Sequence, residues 1–149
     1  MDIHTLKLSI TEEEINTLVA EFPSSDSAVE NLRVRLTPEG IVAFGDYPAM
    51  LMKMAFETLW EVKGAGSVVE ARLASIKVSG LPAKMLRGVL LKTIRDMTAQ
   101  EPGVRVEDES IRIDLSKHTA IQRLRLRVNL TGVRCSSGNL VIEAGPETA

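Results

Sequence analysis

Between Met50 and Val62 every second residue faces the same way chemically: Met50, Met52, Met54, Phe56, Trp60 and Val62 are apolar, with Thr58 in the same phase, and the run stops at Gly64-Ala65-Gly66. Strict alternation puts one side chain in two on a single face, so the segment reads as a half-buried β-strand. A second run, Val68 to Ser79, follows the glycines and reads as its hairpin partner. Its apolar phase changes from Val69, Ala71 and Leu73 to Ile76 and Val78, which predicts a bulge that bends the sheet. Strands of about 12 residues are roughly twice the usual length and reach about 40 Å. A pair that long constrains everything else, because its apolar face has to be covered.

The flanking segments supply candidate covers. Leu6, Leu8 and Ile10 alternate as a strand. Thr11 with Glu14 forms a capping box, Ile10 can staple to Ile15, and Ile15, Leu18, Val19 and Phe22 make one stripe before Pro23, predicting a short helix. Leu32, Val34 and Leu36 alternate with Arg33 and Arg35, and Pro38-Glu39-Gly40 turns the chain into Ile41–Phe44, a second hairpin. Residues 82–99 are predicted to be the long helix: Pro82 opens it, Leu86, Val89, Leu90, Ile94 and Met97 recur at helical spacing, and Pro102-Gly103 closes it. One-faced strands follow at Val104 and Val106, at Ile111, Ile113 and Leu115, at Leu124, Leu126, Val128 and Leu130, and at Leu140 to Ile142 after a turn at Ser136-Ser137-Gly138-Asn139. No linker, internal repeat or low-complexity stretch divides the chain, so residues 1–149 are expected to form one domain.

The expected fold class is therefore α+β, a long antiparallel sheet coiled around one long amphipathic helix, with a short N-terminal helix beside it. A helix of 18 residues is about 27 Å long and about 10 Å across, whereas six or seven strands make a sheet about 30 Å wide. The helix alone cannot cover that face. Either the sheet coils round it or apolar surface remains for a ligand or a second copy. Met52, Met54, Phe56, Leu86, Leu90, Ile94 and Met97 are the candidate lining of such a groove, methionine suiting it because the thioether is flexible and polarizable.

Charge is distributed unevenly. Residues 1–71 carry 5 basic and 12 acidic side chains, a balance of −7, and residues 72–134 carry 13 basic and 6 acidic, a balance of +7. Arg105, Arg112, Arg125 and Arg127 fall on polar phases of the late strands and are the candidate contacts to an anionic membrane surface, Arg134 falling in the same phase. Lys84 and Arg87 sit at the start of the long helix, where a bound anion would relieve their opposition to the helix dipole. Nucleic acid is disfavoured, since aromatic residues are 3% of the chain and single-strand binders use aromatic platforms.

Catalytic signals are missing from the sequence. There is no nucleophile elbow or phosphate-binding loop, Gly64-Ala65-Gly66 is a turn, and His4, His118 and the lone Cys135 give no zinc spacing. Arg134 beside Cys135 is expected to lower the thiol pKa, but no base at identifiable spacing makes it a nucleophile. The expectation is a protein that is not an enzyme and has neither cofactor nor metal. No run reaches the roughly 18 apolar residues of a membrane span, so the chain is expected to be soluble, cytoplasmic as it stands and exported only if a signal has been removed.

The order of elements, with the helix opening at Thr11-Glu12-Glu13-Glu14-Ile15-Asn16, the helix after Gly80-Leu81-Pro82 and the closing strand Ile111-Arg112-Ile113-Asp114-Leu115, resembles the small bacterial members of the tubular lipid-binding superfamily. The resemblance extends over about the whole chain and implies a coiled sheet around a helix, with a lipid or other hydrophobic small molecule in the groove between them. The alternative is a structural or protein-interaction domain whose apolar face is closed by homo-oligomerisation or by a partner.

Overall fold

The computed structural model describes residues 5–21, 29–49, 52–78, 83–99, 102–117 and 129–145. In chain order its elements are β1 (Leu6–Thr11), α1 (Glu12–Glu21), β2 (Glu30–Thr37), β3 (Gly40–Ala49), β4 (Met52–Ala65), β5 (Val68–Val78), α2 (Ala83–Met97), β6 (Val104–Val106), β7 (Ser110–Asp114), a 3-10 turn η1 (Leu115–Lys117), β8 (Leu130–Ser136) and β9 (Asn139–Ala144). Among the described residues the fold is α+β, with antiparallel sheets and two α-helices.

The alternation around Gly64 is realised as the β4–β5 hairpin, paired from Phe56 opposite Val78 to Ala65 opposite Val68. Gly66 turns the chain at φ +60°, where a Cβ would be strained. Leu59 faces Ser75 while its neighbour Trp60 faces Leu73, so Ala74 is the extra residue of the bulge that the apolar phase shift predicts. Even-numbered residues of β4 form one face, on which Phe56, Thr58 and Trp60 are buried. Thr58 is accommodated there because its hydroxyl donates to the Ala43 carbonyl at 2.9 Å and accepts the Trp60 indole N–H at 2.9 Å. Next to Ile41, which faces Trp60, a side chain at Gly40 would collide with the Trp60 carbonyl oxygen, and φ +145° there also favours glycine.

Helix α2 lies across this face. Leu86 and Leu90 pack with Val29 and Phe56, and Leu91 packs with Trp60 and Leu73, so the helix bridges two clusters of one core. Each such fully buried side chain contributes about 1.5–3 kcal/mol relative to exposure.

The continuous coiled sheet expected from the sequence is not what the described residues form. They divide into a six-stranded sheet, β2-β3-β4-β5-β7-β6, and a separate three-stranded sheet, β1-β9-β8. The reason lies in lengths: α2 has 15 residues, about 22 Å, and β4 has 14, about 46 Å. The small sheet covers the part of β4 beyond the helix, at Gly64, where an added Cβ would lie 2.5 Å from Val133 and 3.1 Å from Leu130. Glycine permits that close approach. Leu115, expected in a strand, belongs to η1, and the strand expected through Leu124, Leu126 and Val128 lies outside the described residues up to Leu130, where β8 begins.

Among the described residues no strand pairs with the outer edge of β2, which is met instead by two α1 side chains and one backbone N–H. The Asn16 carboxamide donates to the Val34 carbonyl at 2.8 Å and accepts the Val34 N–H at 2.7 Å, copying the two bonds of a neighbouring strand. Glu12 accepts the Leu36 N–H at 2.7 Å, and the Leu36 carbonyl accepts the Gly138 N–H at 3.0 Å. The capping box holds α1 in place for this: the Thr11 hydroxyl oxygen accepts the Glu14 N–H at 3.1 Å.

Candidate ligand-binding site

The helix-facing side of β4 has three stretches. The middle is covered by α2 and the Gly64 end by the small sheet; β5 is described as far as Val78, opposite Phe56, residues 79–82 lie outside the described residues, and among those described Met54 and Met52 lie beyond the last β4–β5 pair. On their other side they pair with Tyr47 and Ala49 of β3. Met52 is 69% exposed, Met54 is half-buried, and Phe56, next in phase, is only 3% exposed. Met85, in the first turn of α2, is 58% exposed beside Leu86, which is fully buried. An apolar surface thus leads from solvent at Met52 to the cluster of Phe56, Leu86, Leu90 and Val29 without a polar side chain in phase.

The seven residues expected to line a groove therefore occupy different positions. Phe56, Leu86 and Leu90 are packed against one another, Ile94 belongs to the second cluster with Trp60 and Leu91, and Met52 and Met54 stand at the open end. The Met97 side chain lies outside the described residues. Leu91, Val29 and Tyr47 belong to the same surface and were not in the expected set. Leu91 was accessible from its place one residue after Leu90, which widens the stripe; Val29 and Tyr47 come from segments whose spacing carries no helical or strand signal of that face.

The basic residues separate as well. Arg105 and Arg112 stand directly opposite each other on β6 and β7, on the face turned away from α2, as the shared outer face requires. Arg125 and Arg127 lie outside the described residues, and Arg134 is on the small sheet, held by Glu143 at 2.7 Å. Arg87 pairs with Glu109 at 3.0 Å, and with Lys84 and Arg95 it borders an open cleft of about 880 Å³ whose far wall is Glu107 and Asp108. Two walls of opposite sign make that cleft polar and electrically balanced. Gly88 also borders it, and a Cβ added there would meet nothing within 4 Å, so no close approach accounts for this glycine.

A reactive thiol does not form at Cys135. Glu143 occupies the neighbouring guanidinium, and burial pushes the thiol above its ordinary pKa, which corrects the lowered value its sequence neighbour suggests. His118 lies outside the described residues. Among the described residues no cluster of three His, Cys, Asp or Glu side chains could hold a metal ion, and no helix is long and apolar enough to cross a membrane. No protein-family model, curated protein or solved structure matches the chain.

Proposed function

We propose that the chain is a non-catalytic binder of a lipid or another hydrophobic small molecule, which enters between the sheet and α2 at the Met52 end. The observation that carries this reading is that β4 and α2, whose Phe56, Leu86 and Leu90 pack in one cluster, also carry the exposed Met52 and Met85, with the half-buried Met54 in phase between Met52 and Phe56. Exposed methionines beside an apolar cluster suit ligands of variable shape. Entry needs the inner cluster to part, and a ligand chain offsets the lost contacts with its own burial, at about 0.8 kcal/mol for each methylene removed from water. In this reading the resemblance to the tubular lipid-binding superfamily extends to the use of the groove, with α2 and the long β4–β5 hairpin as its walls.

A second reading, an interaction domain closed by another copy or a partner, is favoured by β1. Among the described residues β1 pairs with β9 alone, residues 5–9 are all exposed, and Leu6 and Leu8 project from the same face of this edge. An edge of that kind accepts a further strand.

Native mass spectrometry of the purified chain, before and after extraction with organic solvent, separates the two. The binder reading predicts a monomer with added mass that extraction removes, and that a long-chain fatty acid restores. A dimer of bare chains that takes up no fatty acid would contradict it and favour the β1 edge.

A further inference from the structure

Where β6, β7 and η1 meet, the outer face of the large sheet carries a second, separate concavity. Its volume is about 380 Å³, and Arg105, Arg112, Lys117, Asp114, Gly103 and Val68 border it. The charges come in a row across the strands: Lys63 on β4, Glu70 on β5, Arg112 on β7 and Arg105 on β6. Glu70 is shared, lying 3.4 Å from Lys63 and 3.8 Å from Arg112. Arg105 has no ion pair among the described residues and stands directly opposite Arg112, an arrangement that costs stability between strands.

The backbone brings a third cation to the same place. Gly103, at φ +86°, is so close to η1 that an added Cβ would lie 2.6 Å from the Asp114 carbonyl oxygen and 3.0 Å from the Lys117 Cβ. The one carboxylate at the rim is already engaged. Asp114 Oδ1 accepts the Ser67 hydroxyl at 2.7 Å, the Ser116 hydroxyl at 2.6 Å and the Ser116 N–H at 3.0 Å. Those donors are neutral, so they occupy Asp114 Oδ1 and leave its charge in place. Counting Lys63, Arg105, Arg112 and Lys117 against Glu70 and Asp114, the neighbourhood keeps a balance of +2.

We infer that this concavity is an oxyanion site for a phosphate group, held between Arg105, Arg112 and Lys117. A phosphate turns the opposed guanidiniums from a repulsion into two forks on one anion, and guanidinium geometry favours bidentate contact with phosphate. The site is independent of the hydrophobic-ligand reading. It faces away from α2, and Lys63, in its row, is about 36 Å along β4 from Met52, so a single lipid does not fill both.

The test is a titration of the full-length 15N-labelled chain with inorganic phosphate at low ionic strength, alongside sedimentation with phosphatidylglycerol or phosphatidylcholine vesicles. Phosphate is expected to shift amides of residues 103–105 and 112–117, and Arg105→Gln and Lys117→Gln each to weaken binding about tenfold, the loss of one charge-assisted contact. Both side chains are exposed, so the variants are expected to melt as the parent does. Arg35→Gln, on the same face but paired with Glu57, is the control for net charge and should bind as the parent does. Arg105-dependent binding of phosphatidylglycerol vesicles identifies the phosphate source as a lipid headgroup, and Arg105-dependent binding of free phosphate alone identifies it as soluble. Absence of Arg105 dependence in both arms, or an equal loss in Arg35→Gln, would overturn the site.

Discussion

Asn16 illustrates how much one side chain settles in this chain. Its carboxamide stands in for a whole neighbouring strand at Val34, and Glu12 one helical turn earlier does the same for the Leu36 N–H. Without them β2 would expose a row of backbone groups ready to pair with another chain. Asn16→Ala leaves the part-buried Val34 N–H and carbonyl unpaired, and each unsatisfied group costs about 1–3 kcal/mol where water cannot reach it. A loss of about 2 kcal/mol in urea-induced unfolding, with an unchanged slope, is the expected outcome. A loss below about 0.5 kcal/mol would mean that water replaces the carboxamide and that the edge is not closed by α1. Nothing in the sequence marked Asn16 for this role. The partners are 18 positions apart, and a polar residue on a short helix looks the same whether it meets solvent or a strand edge.

Elements whose signals are local were legible, and those defined by distant partners were not. The β4–β5 hairpin, its bulge at Ala74 and the α1 cap follow from alternation, phase shift and the Thr11–Glu14 spacing, all contained within a few residues. The inward stripe of α2 was legible at Leu86, Leu90 and Ile94 for the same reason. The small sheet was not. β1 and β9 are separated by most of the chain, and alternation identifies a strand without naming its partner. The groove set was legible as apolar, but the sequence carried no sign of which members are buried and which exposed, because that depends on how α2 packs across β4. Helix α2 also contains one residue with no packing reason. Gly88 is exposed beside the polar cleft with open space at its Cβ, and glycine costs about 1 kcal/mol relative to alanine in a helix interior. Gly88→Ala should therefore raise the midpoint of thermal unfolding and stabilise the chain by up to about 1 kcal/mol. A destabilised variant would show that the helix needs glycine for a contact absent from the structure.

For the molecule as a whole, the layout is one long apolar sheet face with three fates. Helix α2 seals its middle, the β1-β9-β8 sheet seals the Gly64 end, and among the described residues the Met52 end stays open. Charges are segregated to the opposite face, where the row from Lys63 to Arg105 runs across the strands. Such a division makes the open end the place where hydrophobic-ligand binding and closure by a second copy or a partner differ in their consequences. The most direct measurement labels the methionine methyl groups with 13C and the backbone amides with 15N and follows both sets of resonances while a long-chain fatty acid is added to the monomeric chain. The account predicts saturable shifts of the Met52, Met54 and Met85 methyls, assigned by Met→Leu substitution, with the backbone of β1 unchanged. Resonances at those three positions that do not move at saturating fatty acid, or shifts confined to Leu6 and Leu8 of β1, would contradict it.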